Sequence, residues 1–232
     1  MRGTERSLKS LNFAWHVALA TADAIVLALF VAPELITSAT TTQLGVYRAL
    51  GAAVLPIVVL LLMNVMSSNF KAMLVYWKPY GWLPGCEAFT KYGPADHRVD
   101  MVQLKKNAGA WTDEPKEQNS KWYKLYKQVE TIPEVAYAQK DFLMYRDMAA
   151  LSLPLTVIAP LGLFIADASL KAMWVGAVMF VVQYVLTAVS ARNAGERFVC
   201  NVLAVHSTKK VVTPRTTTMS KSPSLGGSTT SP

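Results

Sequence analysis

Asp23 and His16 are the residues whose types and spacing could do chemistry. Each can take up and release a proton, and both sit inside a long apolar run near the start of the chain. At helical spacing, positions 16, 20, 23 and 24 share one face. A carboxylate near the middle of a membrane helix costs several kcal/mol unless it is paired, protonated or wet. Its helix must therefore turn that face toward protein or water. The same helix repeats a small residue every fourth position, at Ala20, Ala24, Ala28 and Ala32, a spacing that lets helix backbones approach closely.

Depth names the partners. At 1.5 Å per residue, Asp23 lies about 15 Å from the cytosolic end of its span, while Thr156 and Gln183 lie at about 12 Å in two later spans. Asn64 matches the shallower level of His16. The expectation is an intramembrane polar layer of Asp23, His16, Thr156, Gln183 and Asn64. Three roles are open to it: fixing helix register, passing ions or protons, or catalysis. Glu34 and Asp167 fall at the outer ends of two spans. In an oligomer they could ring an outer mouth and favour cations, or simply be exposed carboxylates.

A second group lies outside the apolar runs. Asp96-His97-Arg98 reads as a loop. The run from Lys121 to Lys127 alternates Lys121, Lys124 and Lys127 with Trp122, Tyr123 and Tyr126. Basic residues interleaved with aromatics can hold anionic headgroups or other anionic ligands, or serve as one wet and one packed face of a helix. His97, Arg98, Lys121, Trp122, Lys124, Tyr126 and Lys127 are thus the candidates for contact with a cytosolic ligand, a partner or lipid headgroups.

The elements that would position these groups follow from composition. Only 16% of the 232 residues are charged, and 52% are hydrophobic. A soluble domain carries about 25% charged residues. The shortage is local, because four apolar runs hold almost no charge: 13–36, 46–66, 148–166 and 172–191. Each has about the 20 residues a bilayer crossing needs. None alternates as a membrane strand would. The expected fold is all-α: a polytopic membrane protein with four transmembrane helices in two hairpins (13–69 and 148–191) and a helical cytosolic insert over 70–147.

Orientation comes from Lys and Arg. Of the 23, 21 fall on the side of the N-terminal flank, the insert and the C-terminal tail, leaving Arg48 and Lys171 on the other. By the positive-inside rule both termini are cytosolic, which makes this a multi-pass inner-membrane protein. The excess of +8 is mostly this orientation signal, so nucleic acid is not an expected partner. The apolar stretch of the first span outruns the core of a cleaved signal, so an uncleaved anchor is expected. Cys86 and Cys200 are both cytosolic by this topology and read as free thiols.

Local signals divide the insert. A helix continuing from the second span should stop near Lys78-Pro79. Residues 79–99 read as an irregular Gly- and Pro-rich loop. Asp100 and Gln103 suggest a capping box for a helix to about Asn107. A second helix is expected from Glu114 to about Glu130, with Trp122, Leu125, Tyr126 and Val129 inward. Thr131 to Glu134 suggests another capping box, and no breaker separates it from the third span. Pro154 and Pro160 should kink that helix. After the fourth span, 192–197 reads as a polar elbow, so that 192–206 would form an amphipathic interfacial helix. Residues 207–232 are Ser- and Thr-rich and expected to be disordered.

No phosphate-binding loop, dinucleotide fingerprint, zinc-protease motif or nucleophile elbow occurs. The three histidines are far apart in this topology, so neither a metal nor a cofactor is expected. In layout, two hairpins around a compact cytosolic middle, with Trp82 to Phe89 and Asp96 to Arg98 standing out within it, the chain resembles small bacterial four-span membrane effectors of anti-phage defence systems. The resemblance covers 13–206. The functional expectation is a non-enzymatic, homo-oligomeric protein that alters membrane permeability when its cytosolic module meets a small molecule or a protein. A membrane scaffold recruiting a cytosolic partner is the alternative, and a lipid-modifying enzyme working through His97 is a third.

Overall fold

Capping residues decide where several of the helices begin. The structure is a computed structural model that describes residues 8–31, 57–58, 61–62, 64–78, 80–81, 83–165 and 169–208. The first helix, α1, spans Leu8–Val31. The second, α2, spans Ser68–Tyr76, and the Ser67 hydroxyl caps it by accepting from the Phe70 amide at 3.2 Å. It ends at Trp77, which takes a left-handed conformation and returns its amide to Met73. The expected irregular loop is more ordered than that. Residues 84–95 wind through a 3-10 turn (Pro84–Glu87), a π turn (Ala88–Tyr92) and a last short turn (Gly93–Ala95).

Helix α3 spans Met101–Ala108, and Asp100 accepts from the Gln103 amide at 2.9 Å. The Gln103 side chain bonds Asn107, so only half of the expected capping box forms. Helix α4 spans Pro115–Val129 from a Glu114 cap. Helix α5 runs unbroken over Pro133–Ile165 and contains both Pro154 and Pro160. It opens on the Ile132 carbonyl, which accepts from Val135 and Ala136 at 3.0 and 2.9 Å.

Helix α6, Leu170–Thr208, corrects the expected elbow and interfacial helix over 192–206. It is one helix of 39 residues, about 58 Å long. Its polar residues Arg192, Asn193, Glu196 and Arg197 lie outward, while Ala191, Ala194, Gly195 and Phe198 are buried. That is the period of a helix with one packed face, and Gly195 belongs to the packed face. A Cβ at this position would overlap the Tyr76 hydroxyl and come within 3.2 Å of Phe142.

The last three turns of α6 form the centre of the core built by the insert. Phe198, Val199, Val202 and Leu203 are buried there with Trp122, Tyr126, Val135 and Phe142. Phe198 meets Trp122 and Tyr126 edge-on, with ring centroids 5.1 and 5.2 Å away. The insert has too few residues to build much of a core alone, and α6 completes it. His206 closes the far end, its Nε2–H donating to the Leu125 carbonyl at 2.9 Å.

Among the described residues there is no strand. Among the described residues two helices, not the expected four, are long and apolar enough to cross a bilayer: α5 and α6, whose most apolar windows have mean hydropathy 2.1 and 1.9. Helix α1 has 24 residues, and the side chains described on it, over Asn12–Ala28, form an apolar stretch. Most of 46–66 lies outside the described residues. Only 28% and 17% of the most apolar windows of α5 and α6 is buried, where a core helix of a soluble protein would be covered. Val157, Ile158, Leu161 and Phe164 on α5, and Trp174, Val178, Val182 and Leu186 on α6, stand exposed. Such faces suit lipid.

Two outcomes follow from this packing. Gly195→Ala should lower stability by about 1–3 kcal/mol through overpacking. Tyr76→Phe should restore most of the loss, because it removes the buried hydroxyl that the new methyl would strike; thermal unfolding in detergent of the two single variants and the double variant checks the coupling. Burial also holds the His206 imidazole below its ordinary pKa. The unfolded chain then takes up a proton that the folded one refuses, so stability falls as the pH drops below about 6.5. The melting temperature of His206→Gln should fall less than that of the wild type between about pH 7 and 5.

Candidate intramembrane polar site

The inward face of α1 is polar, and its register against α5 is fixed by two bonds. The Asn12 amide donates to the Lys140 carbonyl at 2.8 Å, and His16 Nε2 lies 3.3 Å from the Met144 carbonyl. Both pairs are 128 residues apart in sequence, so α1 and α5 run parallel here. One to two turns further along, Asp23 is 7% exposed. Gln183 from the returning α6 donates to the Asp23 carboxylate and to the Ser152 hydroxyl, each at 3.1 Å.

Of the expected polar layer, the structure thus joins Asp23 to Gln183. Thr156 is turned away and donates to its own helix at Leu153 O, 2.7 Å. Ser152, one turn nearer the cytosol and fully buried, takes its place. His16 is 1% exposed and belongs to a lower level of the same face. Asn64 stands exposed on the chain leading to α2. Glu34 and Asp167 lie outside the described residues. The alanine stripe is not the packed face: Ala20 is half-buried, and Ala24 and Ala28 are exposed.

Between the levels of His16 and Asp23 lies a charged cluster that depth matching did not anticipate. Lys71 of α2 meets Asp147 of α5 at 3.2 Å. Arg146 brings Nε and Nη2 to the same carboxylate oxygen at 3.1 and 2.9 Å. All three side chains are buried, and the field of Asp147 and Lys71 reaches His16. Charges taken out of water need such mutual pairing to be tolerated. The sequence signal was available: Arg146 and Asp147 immediately precede one expected span, and Lys71 follows another.

A belt of aromatic and basic groups ties α2 to α6 beside this cluster. The Arg192 guanidinium lies 3.9 Å from the Trp77 ring centre, and its Nε donates to Val75 O at 2.6 Å. The Trp77 indole donates to Tyr184, whose hydroxyl donates in turn to Leu74 O. These bonds hold Trp77 in its left-handed turn, which costs a non-glycine residue about 1–2 kcal/mol.

The cytosolic candidates separate into different places. Arg98 wraps Asp96, with Nη2 at 2.7 Å from its carboxylate, and reaches Asn201 at 3.1 Å. Those bonds hold the Asp96 carboxyl well below the usual range. His97 lines an open cleft of about 460 Å³ with Arg98, Asn193, Glu196, Arg197 and Cys200. Burial pushes the Cys200 thiol up to about 12, which makes it inert at neutral pH. Trp122 and Tyr126 are core residues. Lys121 donates to the Gly109 and Ala110 carbonyls, and Lys127 pairs with Glu130 at 2.6 Å. Lys124 is exposed. Among the described residues no three His, Cys, Asp or Glu side chains could hold a metal ion.

No family model, no curated protein and no solved structure matches the chain.

Removing one member of the buried cluster should be costly. Asp147→Asn leaves two cations without their shared carboxylate and is expected to cost about 3–5 kcal/mol. Lys71→Met, which leaves the Arg146–Asp147 pair in place, should cost less. Unfolding curves of both variants in the same detergent give the order.

Proposed function

We propose that the protein is a four-span inner-membrane protein with cytosolic termini, acting as a homo-oligomer that admits ions when its cytosolic module is engaged by a small molecule or a protein. The observation that carries the reading is the file of buried polar groups along α1. Asn12, His16, the Lys71–Asp147–Arg146 cluster, Ser152, Gln183 and Asp23 follow one another from the cytosolic end inward. Asn12 and Asp23 are eleven residues apart, about 16 Å along the helix. Ionisable groups at such depth are costly, and a functional path is the default reading of them.

Beyond Asp23 the buried residues of α5 and α6 are apolar. Ala159, Leu163 and Phe180 are at most 2% exposed, and a Cβ on Gly176 would come within 2.9 Å of Leu163. An apolar constriction holds back ions by staying dry. The arrangement therefore suits a closed form whose polar file opens to the cytosol. Opening has a mechanical route, because α5 and α6 pass without a break from the apolar segment into the cytosolic core.

Reconstituted into liposomes with and without cell extract, the protein should pass ions under at least one condition. Asp23→Asn should reduce that flux by about tenfold or more, the equivalent of about 1.4 kcal/mol. Native nanodisc measurements should give more than one copy per particle. Absence of flux under every condition would sink the reading.

A further inference from the structure

We propose that the ion carried by this site is the proton, taken up at Nδ1 of His16 and passed to the Asp23 carboxylate. The inference deepens the permeation reading and rests on it.

The geometry of the His16 ring carries the argument. A carbonyl oxygen only accepts, so the contact between Nε2 and Met144 O at 3.3 Å assigns the hydrogen of the neutral ring to Nε2. Nδ1 then bears a lone pair. It is buried and accepts no hydrogen bond from the described residues, and besides Met144 the Asn12 backbone is the one backbone group that acts on the ring. One turn nearer the cytosol, the side-chain oxygen of Asn12 is buried and unpartnered in the same way, while the Asn12 amide is used on Lys140 O. Two orphaned acceptors one turn apart on one helix face are an unfinished hydrogen-bond site. An unmet buried acceptor costs about 1–3 kcal/mol, and what satisfies it is a donor, either water or a proton.

The surroundings separate a proton from a metal cation. The charged groups facing His16 are Lys71 from α2 and the Arg146–Asp147 pair from α5. A sodium or potassium ion needs several oxygen ligands and would meet two buried cations at this level. A proton needs one lone pair, and Asp147 offsets part of the imidazolium charge. Further along, Asp23 has Gln183 as its hydrogen-bond donor, and no cation stands among the groups described beside it. Its carboxylate can therefore accept a proton and become neutral, which also lowers the cost of its position.

The transfer balances without any other reactant. Nδ1 takes a proton from cytosolic water and the ring becomes an imidazolium, still donating through Nε2–H to Met144. Nδ1–H then gives its proton to water in the file, and water gives one to the Asp23 carboxylate. The ring returns to the neutral form. His16 and Asp23 are seven residues apart, about 10.5 Å along α1, so the transfer across this gap needs a relay of a few waters past the Lys71–Asp147–Arg146 cluster. The Ser152 hydroxyl accepts from Gln183 and keeps its own hydrogen free to donate along that gap.

The test uses the full-length protein in liposomes, with proton uptake driven by a potassium diffusion potential and read by an internal pH dye. Sodium, potassium and chloride fluxes are measured in parallel. His16→Gln keeps an amide donor for Met144 O but cannot take a proton. It should cut proton flux by about 100-fold with an unchanged melting temperature, and Asp23→Asn should do the same. A wild-type flux of sodium or potassium that His16→Gln leaves unchanged overturns the proton assignment and leaves the permeation reading standing. No flux of any ion overturns both. Nitrogen NMR of labelled histidine in wild-type nanodiscs decides the point even if a variant fails to fold. The His16 signal should start as the Nε2–H tautomer and gain a proton at Nδ1 as the pH is lowered. A ring that stays neutral throughout, or one with Nδ1 already protonated, overturns the proposal.

Discussion

The packing of α1 against α5 and α6 depends on finding partners for the polar face of α1. Asn12, His16 and Asp23 are all buried, and in a low-dielectric setting each must be met by a donor or acceptor of the right kind. Carbonyls of α5 meet the first two, and an amide of α6 meets the third. Moving α1 by a single residue would rotate this face by about 100°. The acid would then face lipid, at several kcal/mol. Register is thus set by polar satisfaction, which apolar contact alone, being non-directional, could not do. The exposed Ala24 and Ala28 fit the same logic, since the small-residue face is left over once the polar face has been placed.

The second constraint is the continuity of α5 and α6. Each begins or ends deep in the cytosolic core and runs on into the apolar segment. On α6 the change of environment appears as a change in which side is apolar and covered. Up to Val189 most of the large apolar residues are exposed, Phe180 excepted, and from Ala191 onward the apolar residues are buried or half-buried. Arg192, stacked on Trp77 and bonded to Val75 O, stands at the crossover. A basic residue resting on an aromatic ring is suited to that level, where one side is wet and the other is not. Gly195 lets Tyr76 of α2 lie directly against α6 just past this point, so the short helix and the long one are locked at the boundary.

Much of this could be read from residue order, and the failures have identifiable causes. Helix periodicity located α3, α4 and the unbroken entry of α5, because their caps and stripes are local. Counting depth along helices brought Asp23 and Gln183 together, because a straight helix converts sequence distance into height. The same arithmetic chose Thr156 over Ser152. Height alone does not say which residues turn inward, and Thr156 can satisfy its hydroxyl on its own backbone. The polar run 192–197 suggested an elbow since Gly and charges often end helices. Its positions in fact follow a 3.6-residue period, which only the presence of the cytosolic core on one side makes meaningful. The aromatic–basic run of α4 divided in the same way. Trp122 and Tyr126 are four apart and point inward, while the lysines between them meet local carbonyls, carboxylates or solvent.

These two constraints bear on each other. The charged cluster of Lys71, Arg146 and Asp147 sits where α1, α2 and α5 converge, and α2 is bolted to α6 through Trp77, Tyr184 and Arg192. A displacement of the cytosolic core would move α6, hence α2, hence Lys71 relative to Asp147. Because the pair is buried, separating its charges costs far more than it would at a surface. The cluster therefore resists small motions and yields only to a large one, as a latch does. The apolar layer of Leu163 and Phe180 lies on the same two rods as the cytosolic core. A motion large enough to separate these charges would reach that layer along α6, which runs unbroken, and along α5, which carries Pro154 and Pro160 on the way.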